Sequence, residues 1–141
     1  MLSNKKIPIG LIAGDVLGVL FLSLYGYWTH YAGKEPFSFR WISTFLPLCL
    51  GWALAAIPMG LYDPQIARAW RSVFWRACLA GALAAPFATM LRGFWLNAAV
   101  LPLFMAVLTA FGALAMTVWR AAYAFYAART GKRESKLLTS P

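Results

Sequence analysis

Four apolar stretches, each at or near the length that crosses a lipid bilayer, leave this chain few ways to fold. From Ile7 to Tyr27 the only charged side chain is Asp15, and from Trp41 to Leu61 there is none. Between Arg76 and Arg92 lie 15 uncharged residues, about 22 Å of helix at the standard rise. That stretch spans only if its helix begins near Arg68 or Trp70 and its arginines extend toward the headgroups. From Gly93 to Trp119 the main polar interruption is Asn97. A hydrocarbon core about 30 Å thick needs roughly 20 apolar residues per helix, and backbone amides inside it must be satisfied within helices or a closed barrel. The spacing predicts an all-α polytopic membrane protein, a four-transmembrane-helix bundle. Its spans fall at about 7–27, 41–61, 70–91 and 94–119, with the last helix continuing toward residue 129. Residues 130–141 are expected to form a flexible basic cytoplasmic tail.

Composition excludes the alternatives. The chain is 62% apolar and 12% charged, whereas soluble domains are nearer 45–50% and about a quarter. Its 141 residues allow one domain. A net charge of +9 would suggest nucleic acid in a soluble protein. Here the cations lie between apolar stretches and at the ends, where membrane proteins carry their topology signals. The expected partner is therefore the lipid bilayer, together with other membrane subunits or a second copy, and no nucleic acid. Lys5, Lys6, Arg68, Arg71, Arg76, Arg120, Arg129, Lys132, Arg133 and Lys136 fall on one side, against Lys34, Arg40 and Arg92 on the other. That bias places both termini in the cytoplasm (N-in/C-in) and the protein in the cell membrane. The first stretch ends in Tyr25-Gly26-Tyr27-Trp28 without a small-residue cleavage site, so it reads as a retained span.

Small residues recur every fourth position. Gly10, Gly14 and Gly18 form one row, Gly51 with Ala55 and Ala56 with Gly60 two more. Ala77, Gly81 and Ala85, the parallel row Ala80, Ala84 and Ala88, and Ala106 with Ala110 complete the set. Such rows let helix backbones approach in lipid, so Gly10, Gly14, Gly18, Gly51 and Gly81 are the expected packing positions and the third span is central. Val19 is expected to face a more tolerant surface. Pro47, Pro58, Pro86 and Pro102 are expected to kink or interrupt helices.

Asp15 is the one acid inside a span, which is costly without a partner. It lies about 12 Å past the start of its helix, and Arg76 lies at a similar depth on the third. An intramembrane Asp15–Arg76 ion pair follows, architectural in its first reading and a proton or cation relay in its second. His30, the lone histidine, reads first as a headgroup or loop contact at the outer interface; with Arg92 on the same side it forms a candidate outer polar site for one ligand. Cys49 and Cys78 sit in apolar surroundings without further ligands, so no metal site is expected. No nucleophile–base spacing, carboxylate pair or phosphate loop is present, so no catalytic residue is expected.

Gly14-Asp15 and Phe21 on the first span, Gly26 with His30 at its end, Pro47 with Gly51-Trp52, Pro86 with Leu91-Arg92, and Trp119-Arg120 form a pattern. It resembles the DUF3054 family, small prokaryotic membrane proteins of unknown function. The resemblance covers roughly Ile7 to Arg120. It implies a prokaryotic cell-membrane location and brings no activity. Three functions are expected in order: a non-enzymatic accessory or structural subunit, a small transporter coupled to protons or ions through Asp15, and a cofactor-binding subunit using His30. No cofactor is firmly implied; a tetrapyrrole, a carotenoid or a quinone would suit the third.

Overall fold

The structure, a computed structural model, describes residues 9–31 and 39–138, and the side chains of 9–31 and 40–130. Helix α1 (Ile9–Tyr31) is followed by a 3-10 turn (Phe39–Trp41), α2 (Ile42–Ala56), the short α3 (Pro64–Arg68), α4 (Trp70–Leu96) and α5 (Pro102–Leu138). The fold is all-α, with three long apolar helices (α1, α4 and the first 29 residues of α5) and one shorter apolar helix, α2. Large apolar side chains face outward along them: Leu17, Phe21, Leu83, Phe111 and Leu114 are each more than half exposed. A soluble monomer rarely presents so continuous an apolar exterior, whereas lipid tails accept it. The chain has the build of a polytopic membrane protein.

The helix ends follow local chemistry and differ from the expected spans. Helix α2 stops at Ala56 rather than near Leu61 because Pro58 has no N–H with which to continue the hydrogen-bond ladder. Residues 57–62 form turns instead, with Gly60 at φ +69°. Helix α4 continues past Arg92 to Leu96, where Asn97 adopts a left-handed conformation and donates its N–H back to Gly93 and Phe94 carbonyls. Asn97 is thus a C-cap, a role asparagine tolerates well, and not an interruption inside the last span. Pro102 opens α5 at its first turn, where a missing N–H costs nothing. Pro47 and Pro86 lie inside α2 and α4, which run on through them. Helix α5 extends to Leu138, where a flexible tail was expected from residue 130. Alanines at 121, 122, 124, 127 and 128, followed by Lys, Arg, Glu and Leu, are strong helix formers.

Helix α4 packs between α2 and α5, as the two small-residue rows predict; Ala77, Ala80, Gly81, Ala84, Ala85 and Ala88 are all buried. A Cβ at Gly51 would lie 2.7 Å from the Ala84 carbonyl oxygen, and one at Gly81 2.6 Å from Ala113 Cα. At these two positions backbones touch. The other rows behave differently. A Cβ at Gly14 would sit 1.7 Å from the Trp119 ring and one at Gly18 3.2 Å from Met116 Sδ, so these glycines make room for side chains. Gly10 is exposed and has open space, which removes it from the packing positions. Ala106 and Ala110 face outward, and Gly60 lies beyond the end of α2. Val19, expected on a tolerant surface, is buried in the core at 2% exposure.

Candidate functional site

The buried face of α1 is the row Leu11, Asp15, Val19, Ser23 and Tyr27, one side chain per turn along a single stripe. Asp15 on that row is 2% exposed and meets Arg120, 1% exposed, from the middle of α5. Arg120 Nε donates to Asp15 Oδ1 at 2.9 Å and its Nη2 to Oδ2, a bidentate fork. Three further donors converge on the carboxylate. Trp52 Nε1 reaches Oδ2 at 2.9 Å, Tyr62 Oη reaches Oδ2 at 2.7 Å, and Trp119 Nε1 reaches Oδ1 at 3.1 Å. The Arg120 guanidinium also lies over the Tyr62 ring, 4.7 Å from its centroid, and over Trp52 at 5.7 Å.

This arrangement corrects the expected Asp15–Arg76 pair. The backbone of helix α1 packs on α2 and α5 and does not approach that of α4, the helix that carries Arg76. Depth along two helices sets a common height; it does not make them neighbours. Arg76 instead donates from Nη1 to the Met59 carbonyl at 2.5 Å and stacks over Trp75. Arg120 Nη1 binds the Leu61 carbonyl at 2.6 Å. Two arginines therefore satisfy carbonyls freed where α2 breaks off, a requirement wherever non-helical backbone lies at membrane depth.

At the other end the helices line a cavity of about 630 Å³. Its lining is mainly apolar, and it is shared by α1, the 3-10 turn, α2, α4 and α5. His30 and Arg92, the candidate outer polar site, both line it, and so do Arg40 and Trp41. Arg92 lies over the Phe104 ring at 5.2 Å, and Arg40 over Tyr31 at 5.6 Å. Two N–H groups at this end, Arg92 Nε and Trp41 Nε1, are buried without a hydrogen-bond partner.

Sequence reasoning missed Arg120, Trp119, Trp52 and Tyr62 as partners of Asp15. A signal was present. Gly14-Asp15, Gly51-Trp52 and Trp119-Arg120 are three of the pairs on which the family resemblance rests, and they meet around one carboxylate. Gly26, His30 and Arg92 from the same pattern meet at the cavity. Residues 12–123 match the family described as protein of unknown function, DUF3054. No curated protein matches the chain. No solved structure matches it either.

Proposed function

The chain belongs to the DUF3054 family, and we propose that it is a non-enzymatic, four-span cell-membrane protein that holds an amphipathic small molecule at its His30 and Arg92 end. The cavity carries this reading. Its volume of about 630 Å³ lies within the roughly 300–1,000 Å³ of small-molecule sites, which are likewise mostly apolar with a few placed polar groups. The accessory role expected from the sequence takes a concrete form here: the protein supplies a ligand site and no reaction. We favour this reading over relay chemistry through Asp15, whose two carboxylate oxygens accept from Arg120 and from tryptophan and tyrosine donors.

Gly26 offers a clean test. It lines the cavity, and a Cβ there would meet nothing within 4 Å. Gly26→Trp should fill the space without disturbing the helix contacts. Protein purified in mild detergent is expected to release a bound amphiphile on organic extraction, detected by mass spectrometry near one per chain. Gly26→Trp should release far less at an unchanged melting temperature. Equal recovery from both proteins would mean that the cavity holds nothing specific.

In this reading α2, only 15 residues long, completes its crossing with the turn at 57–62, where Leu61 is buried and the Met59 and Leu61 carbonyls are bound by Arg76 and Arg120. The excess of cations at that end makes it the cytoplasmic one. Reporter fusions placed after residue 138 and within residues 32–38, the latter outside the described residues, should report opposite sides of the membrane. Reports from the same side would contradict a four-span, N-in/C-in topology.

A further inference from the structure

Resting on the ligand-holding reading, we infer that the molecule in the cavity carries an oxyanion head, a phosphate or carboxylate, held by Arg92 and Trp41, with its tail along the apolar wall. An arginine guanidinium is a permanent cation that calls for an anionic or acceptor partner. Its Nε is buried without an acceptor, and the neighbouring contact is the face of Phe104. Trp41 Nε1, also buried without an acceptor, can only donate. His30 adds a donor to the lining, and none of the described residues lining the cavity is an Asp or Glu. Among the described residues, Arg92 meets no countercharge and the Trp41 N–H no acceptor, a combination that polar groups withdrawn from water seldom tolerate. A neutral quinone or a carotenoid would leave the charge uncompensated; an oxyanion supplies charge and acceptors together. The remaining lining, including Val107, Leu108 and Leu103, accepts a hydrocarbon chain.

The test uses the full chain in phosphatidylcholine discs, titrated with dodecyl phosphate, dodecanol, a short-tailed ubiquinone and inorganic phosphate. Dodecyl phosphate is expected to bind saturably and at least about tenfold more tightly than dodecanol or the quinone, the scale of one charge-assisted hydrogen bond. Arg92→Gln and Trp41→Phe should each weaken dodecyl phosphate by about tenfold and leave dodecanol unchanged, with Arg92→Lys falling between. If Arg92→Gln does not fold, Trp41→Phe, which removes one N–H and little else, decides the matter alone. Inorganic phosphate binding as tightly as dodecyl phosphate would overturn the amphiphile and leave a free anion as the ligand. Dodecanol or quinone binding as well as dodecyl phosphate, with no response to either variant, would overturn the oxyanion but leave the ligand-holding reading standing. Saturable binding of none of the four probes would overturn both.

Discussion

Asp15→Asn is expected to lower the stability of the folded bundle by about 3–5 kcal/mol, the cost of leaving one partner of a buried ion pair uncompensated. Arg120 would remain as a cation at 1% exposure with no countercharge. Arg120→Gln should cost a similar amount, because the carboxylate keeps its tryptophan and tyrosine donors but loses the fork. Arg76→Gln should cost less, about 1–3 kcal/mol, since it removes a hydrogen bond to the Met59 carbonyl rather than a countercharge. Replacing Asp15 by Leu and Arg120 by Met together should recover only part of the loss. The swap removes both charges, but it orphans the Leu61 carbonyl and the Trp52, Trp119 and Tyr62 donors. Unfolding in mixed micelles, followed by circular dichroism, reads all of these values.

Gly81→Leu is expected to be the most damaging of the glycine variants. Even the first carbon of a side chain there would lie 2.6 Å from Ala113 Cα and 3.1 Å from Ala113 N. Backbone on both sides has nowhere to move without separating α4 from α5. Overpacking of this kind costs typically about 1–3 kcal/mol and occasionally more, and Gly51→Leu should behave similarly against the Ala84 carbonyl. Gly10→Leu, with open space around it, should leave the melting temperature unchanged. Gly14→Leu acts through another route. It must displace the Trp119 indole and with it a donor to Asp15, so it weakens the ion-pair cluster along with the packing. Equal melting temperatures for the Gly81 and Gly10 variants would contradict the helix arrangement described.

What could be read from the sequence was whatever depends on one segment at a time. Apolar length and the near absence of charge indicate membrane helices, and the double small-residue face of α4 meets a close neighbour on each side, α2 and α5. Helix ends were read less well. Apolarity continues through Pro58 and Asn97, while the backbone chemistry of those two residues decides where α2 and α4 stop. The site divided along the same line. His30 and Arg92 could be brought together because both close helices at one end, so depth alone suffices. Asp15 required knowing which helix stands beside α1, and equal depth favoured Arg76 while adjacency favoured Arg120. Trp119-Arg120 looked like the close of a span, since an aromatic followed by a cation is the usual sign of an interface. In the fold the pair sits well inside a 37-residue helix, and its cation turns inward. Two arginines serving backbone carbonyls, as Arg76 and Arg120 do, leave no trace in apolar patterning at all.

The bundle is locked at one end by Asp15 and Arg120 and open at the other, and the lock can be measured by pairwise coupling. A double-mutant cycle of Asp15→Asn with Arg120→Gln, alongside a second cycle of Asp15→Asn with Arg76→Gln, isolates each interaction from the cost of the single changes. The expected result is a coupling of about 2–3 kcal/mol between Asp15 and Arg120, near the upper end for residues in contact, and additivity within about 0.5 kcal/mol between Asp15 and Arg76. Strong coupling of Asp15 to Arg76, with additivity to Arg120, would contradict the arrangement of helices on which both the lock and the cavity depend.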